Sequence, residues 1–152
     1  MGRINLGRVV LGGIVAGIVA NILGYLVDGV LLAPRWTAAM QALGKGDFST
    51  NQILGFNVLG LASGIFAVWL YAAIRPRYGA GPKTALCAGL AVWVASVLLP
   101  NAAIMGVAGL FPSDLTVIST LAGAVEWCAA ILAGAALYQE SAESTRTMSA
   151  RA

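Results

Sequence analysis

Histidine is absent from the chain. That removes imidazole-ligated haem, histidine metal sites and any imidazole base or proton shuttle. Cysteine is nearly absent too. Cys87 and Cys128 are too few for a thiolate cluster, and both fall inside hydrophobic runs, where free cysteine reads as a small apolar core residue. Charge is scarce: Asp, Glu, Lys and Arg make up 10% of 152 residues, against about 25% in soluble domains. No catalytic set, metal site or cofactor is therefore expected. A membrane enzyme would need a nucleophile, base or metal set near an interface, and the few acids are scattered along the chain.

What the chain has in quantity is apolar surface, 59% of its residues. A soluble domain of this size could not hide so much, because its surface-to-volume ratio is too high. Hydrocarbon is the solvent that fits. Four apolar segments, 9–32, 53–74, 84–110 and 116–138, each reach the ~20 residues that carry a helix across a ~30 Å core. Only Asp28 and Glu126 interrupt them with charge. The first segment is longer than the ~7–15 apolar residues of a signal peptide, so it is expected to stay in the mature protein. The fold class is thus all-α, a four-transmembrane-helix bundle forming one domain over residues 1–139. A Ser/Thr/Ala/Arg-rich stretch, 140–152, reads as a flexible cytoplasmic tail. No internal repeat stands out.

Seven basic residues (Arg3, Arg8, Arg75, Arg77, Lys83, Arg146 and Arg151) fall on one side of the four segments, and two (Arg35 and Lys45) on the other. The net charge of +3 is thereby a topology signal and does not point to nucleic acid. Positive-inside placement puts both termini in the cytoplasm of a cell whose inner membrane holds the bundle. Arg75–Pro82 reads as a turn-rich stop to the second helix. Ser113 or Asp114 is placed to cap the fourth. After Pro34, the residues Trp36, Met40 and Leu43 at helical spacing predict a short amphipathic helix at the outer interface.

Helices in lipid associate through small residues and interhelical hydrogen bonds. Helix one carries Gly13, Gly17, Asn21, Gly24 and Asp28 at spacings of three or four. Helix two carries Asn57, Gly60, Gly64, Ala67 and Tyr71, and helix four Ser119, Gly123, Glu126, Ala130 and Ala133. The pairs Gly13/Gly17 and Gly60/Gly64, with Gly123, are the expected packing positions. Pro100 removes a backbone donor from helix three and predicts a kink there, with Ser96 or Asn101 helping to satisfy the freed carbonyl.

At ~1.5 Å per residue, Glu126 lies roughly 15 Å into the membrane and Asn21 roughly 18 Å in. Asn57, Asn101, Tyr25 and Asp28 share the outer half with them. A midplane carboxylate costs about 2.5–3.5 kcal/mol on insertion scales unless it is paired or protonated. No lysine or arginine lies at that depth, so Glu126 is expected to hold its proton and to bond Asn21, Asn57 or a neighbouring subunit. It serves either as interhelical glue or as a proton, cation or ligand group. Asp28 is expected to pair with Arg35, to reach water at the outer edge, or to meet the cation of an external ligand. Glu126, Asn21, Asp28, Asn57, Asn101 and Tyr25 are the ligand- or ion-binding candidates.

Several of these positions carry a resemblance. Ile4-Asn5 before helix one, Leu31-Leu32-Ala33-Pro34-Arg35-Trp36 after it, Trp93 in helix three and Glu126-Trp127 in helix four resemble bacterial domain of unknown function family 1761. That family is a group of small four-helix inner-membrane proteins. The resemblance spans most of residues 4–138 and implies four helices and no assigned activity. Two roles then compete. One is a non-enzymatic accessory or interaction subunit, whose partners are the bilayer and either copies of itself or a larger membrane complex. The other is an oligomeric proton- or cation-coupled transporter or channel built on Glu126, since four helices enclose little space alone.

Overall fold

The computed structural model describes residues 4–140; the region expected to form a tail lies, Glu140 apart, outside the described residues. Among the described residues all regular structure is helical. Four helices have the length and hydropathy to cross a membrane: α1 (Leu6–Leu31), α3 (Thr50–Tyr78), α4 (Pro82–Met105) and α5 (Ser113–Ala136). A ten-residue helix, α2 (Ala33–Ala42), stands between the first two spans.

Local chemistry explains most of the ends. Asn5 caps α1 by accepting from the Arg8 N–H at 3.2 Å. Ser49 and Gln52 form a reciprocal capping box on α3. Two expectations need correction here. Helix α3 does not stop at Arg75. It runs through Pro76 to Tyr78, because a proline in the last turn forfeits only one bond, and it ends where Gly79 takes φ 87°. Neither Ser113 nor Asp114 caps α5. Pro112 holds that position without a side-chain bond, Ser113 already being helical, and the Thr116 hydroxyl donates to the Pro112 carbonyl at 3.0 Å.

Each span packs antiparallel on its neighbours in the order α1, α3, α4, α5, with α1 again meeting α5. Glycine sets the closest approaches. A Cβ on Gly64 would lie within 3.0 Å of the Gly17 nitrogen and the Gly13 carbonyl oxygen, and Gly13 and Gly17 in turn face the backbone of Ile65 and Leu61. On the adjoining face of α1, Gly12 meets the Gly134 carbonyl of α5 just as closely. Backbone meets backbone, which is how helices gain contact area when lipid supplies no hydrophobic drive.

The core lies toward the end where α1 begins and α5 finishes, hereafter the terminal end. Val9, Ala16, Val68, Tyr71, Ala88, Ala130 and Ile131 are buried there. The opposite, loop end is looser: residues 50–59 of α3 are all exposed. A separate small cluster, Leu32, Ala39 and Leu115 with Val27, Trp36 and Phe111 around it, seats α2 on the ends of α1 and α5. Both cysteines depart from the expected core placement, Cys87 being exposed and Cys128 half-buried.

Candidate functional site

The loop ends of α1 and α4 are wound as π-helix, over Tyr25–Leu31 in α1, over Val94–Leu98 in α4, and over Ala102–Val107, which runs on past its end. Such turns make i→i+5 bonds and recur at functional sites. They change which side chains share a face. In α1 the 3.6-residue stripe ends at Gly24, and the Leu32 N–H bonds the Val27 carbonyl at 2.8 Å. Asp28 is thereby turned toward α2 and α5. In α4 the disturbance around Pro100 is spread over two π segments, with the Ser96 hydroxyl returning to the Val92 carbonyl at 2.7 Å.

A polar ladder results between α1 and α5. At its top the Asp28 Oδ1 accepts from the Trp36 indole N–H and from the Ser119 hydroxyl, both at 3.0 Å. Asp28 does not pair with Arg35, as proximity in sequence had suggested. Arg35 turns outward to Asp114 at 3.1 Å, with both side chains at least half exposed. The reason is the register of α2, which aims Trp36 inward and leaves Arg35 on its outer side. An exposed pair of this kind contributes about 0–1 kcal/mol.

Two turns below Ser119 on α5, Glu126 reaches α1 beside Gly24, its Oε2 3.6 Å from where a Cβ would stand. A Cβ at position 24 would make ordinary van der Waals contact with the carboxyl, so the two helices are closely apposed here. The other oxygen, Oε1, is buried with no hydrogen-bond partner among the described residues. That differs from the expected bond to Asn21 or Asn57. Asn21 instead spends its amide on the Asn57 carbonyl at 3.0 Å, beside Gly60, which has no Cβ to obstruct it. The Asn57 side chain folds back to the Ile53 carbonyl of its own helix at 2.8 Å.

Two further candidates lie elsewhere. Asn101 donates to the Thr120 hydroxyl at 2.8 Å, and Trp93 to the Thr120 carbonyl at 2.8 Å, joining α4 to α5 on the side away from α1. Tyr25 points out of the bundle at 66% exposure, its ring lying over Gly29. Gly123 sits against Val97 and Trp93 at the same α4–α5 seam. Ser119 and Trp36, the partners of Asp28, were not among the candidates. Their signal was weak, since it depends on a π turn that no 3.6-residue pattern reveals.

Among the described residues no group of three or more acids or cysteines is placed to hold a metal ion. An apolar groove of about 280 Å³ between α3 and α4, lined by residues including Leu59, Phe66, Val92 and Ser96, does not involve the ladder. What the arrangement offers chemically is one carboxyl at mid-helix with a free buried oxygen and a second acid, already satisfied, above it.

Fold and site together define a small four-helix protein with helices of membrane-spanning length. No known family model, characterised protein or solved structure matches the chain.

Proposed function

We propose that the chain is a non-enzymatic integral membrane protein of the inner membrane, with both termini cytoplasmic. In this reading it works as an accessory or interaction subunit, packing through small-residue helix faces against copies of itself or a larger complex. The observation that supports this best is the Glu126 Oε1, buried and unpartnered. A polar atom in that state costs about 1–3 kcal/mol, more if charged, and because this chain already covers it, a neighbour supplies a donor only where α1 and α5 give way to admit it. The exposed loop half of α3, where Asn57 lies, leaves a side from which a neighbouring helix can approach. The test is the native mass and composition of the protein extracted gently from its own membrane. A mass above that of one chain, or a stoichiometric second protein, is expected, and a lone monomer overturns the proposal.

A second reading draws on the same ladder. Asp28, Ser119 and Glu126 run from the loop end to mid-helix along α1 and α5, which suits a proton or cation path in an oligomer. On this reading, liposomes holding the protein dissipate a proton or cation gradient and Glu126→Gln stops them. Absence of flux for protons and common cations removes it.

A further inference from the structure

The terminal end of the bundle holds a feature that the ladder does not use. Arg75, in the last turn of α3, lies over the Tyr138 ring with its guanidinium carbon 5.5 Å from the centroid. Its side chain is 22% exposed, and the nearby Glu140 Oε1 stands 3.6 Å from Nη1. That nitrogen is buried and makes no hydrogen bond among the described residues. A guanidinium presents its N–H groups as a planar fork that matches phosphate oxygens; here the Glu140 ion pair and the Tyr138 ring occupy part of it, and the side chain's remaining exposure leaves the rest within reach of a ligand.

One turn deeper along α3, Tyr71 walls an apolar cavity of about 180 Å³, which Pro82 and Ala85 of α4 and Leu132 and Ala136 of α5 close. Tyr138 links the two through Tyr71, a wall of the cavity. It sits under Arg75 and meets Tyr71 edge-on, with centroids 5.9 Å apart. The Tyr71 hydroxyl is held by the Gly81 N–H at 3.3 Å, which fixes that wall. Arg77 and Lys83 are exposed at the same end of the bundle.

We infer that this is a binding site for one anionic phospholipid, with its phosphate on Arg75 and an acyl chain in the cavity. Each half of the site asks for a different half of the ligand. Free phosphate satisfies the guanidinium and leaves the cavity empty. A neutral lipid does the reverse. Arg77 and Lys83 add a positive field that favours an anionic headgroup over a zwitterionic one. Glu140 competes with the phosphate for Arg75. The inference requires the bundle to lie in a bilayer, but it does not depend on the role given to Glu126.

Native mass spectrometry of the full chain in mild detergent, titrated with defined lipids, tests it. The wild type should bind one phosphatidylglycerol, and diacylglycerol, which has the chains but no phosphate, about tenfold or more weakly, the scale of a lost charge-assisted hydrogen bond. Arg75→Gln should abolish that preference, whereas Arg77→Gln should keep most of it. Glu140→Gln, which removes the competing carboxylate, should tighten binding. Ala136→Phe fills the cavity from an exposed position and should weaken phosphatidylglycerol without lowering the melting temperature. Should Arg75→Gln fold poorly, the Glu140 and Ala136 variants decide the matter. Equal binding of the two lipids by the wild type, or no response to either of those variants, overturns the site. Displacement of the lipid by inorganic phosphate reassigns it to a free anion and overturns the lipid assignment.

Discussion

The Trp36 indole donates to the Asp28 carboxylate at 3.0 Å, across the turn that joins α1 to α2. This bond ties a short helix to a membrane-length one. Trp36 also packs edge-on against Phe111, with centroids 5.4 Å apart, so the seat of α2 combines one hydrogen bond with an aromatic contact. Trp36→Phe keeps much of the contact and removes the bond. We expect it to destabilise the protein by about 1–2 kcal/mol, the usual cost of leaving a buried acceptor short of one donor. Limited proteolysis between α2 and α3 should accelerate in the variant. An unchanged cleavage rate would mean that the apolar cluster alone holds α2.

The second prediction concerns the crossing of α1 and α3. A Cβ on Gly64 meets backbone atoms of Gly13 and Gly17, and backbone cannot move aside as a flexible side chain can. Gly64→Ala must therefore push the helices apart, at about 1–3 kcal/mol or more. Gly55 sits on the same helix with nothing within 4 Å. Gly55→Ala should be neutral. Unfolding in detergent monitored by circular dichroism compares the two, and equal melting temperatures would sink the claim that this crossing depends on glycine.

The contrast between those glycines also marks how far the chain's letters could be read. The four apolar segments were legible because length and hydropathy alone identify helices long enough to cross a bilayer, and the structure has four such helices. Their ends were less so. The Arg75–Pro82 stretch looked like a stop, yet Pro76 can sit in a last turn at little cost and only Gly79 breaks the helix. The crossing of Gly12 with Gly134 uses the face of α1 beside the Gly13/Gly17 stripe, so that stripe carries no trace of it. The partners of Asp28 were illegible for a deeper reason. Neighbours in sequence suggested Arg35, but a π turn rotates Asp28 and the start of α2 sets Arg35 outward, and neither event leaves a compositional trace.

A smaller effect is expected at the α4–α5 seam. Asn101 donates to the Thr120 hydroxyl at 2.8 Å, while Trp93 independently holds the Thr120 carbonyl. Interhelical hydrogen bonds in membranes average about 0.6 kcal/mol, with a ceiling near 1.7. Asn101→Ala should therefore cost less than about 2 kcal/mol, and Thr120→Val should add little on top of it, because both changes delete the same bond. A double-mutant cycle in detergent checks this. Strictly additive losses would show that the two side chains do not interact.

The last prediction separates structural glue from function at Glu126. If the carboxyl served only to fasten α5 to α1, its removal would loosen the isolated protein. Its Oε1 has no partner among the described residues, however, and Oε2 merely lies beside Gly24. Replacing a buried polar group that lacks a partner by an apolar one of similar size is commonly neutral or stabilising. Glu126→Leu should therefore leave the purified chain as stable as the wild type or more stable, by up to about 2 kcal/mol. The same change should reduce whatever Glu126 does with a neighbour, read as loss of the native complex or of ion flux. Thermal melting in detergent and the native mass, measured on the same preparation, give the two readouts. A clear drop in melting temperature with the native mass unchanged would return Glu126 to the role of internal fastener, and with it the proposal that a second chain completes this site would fall.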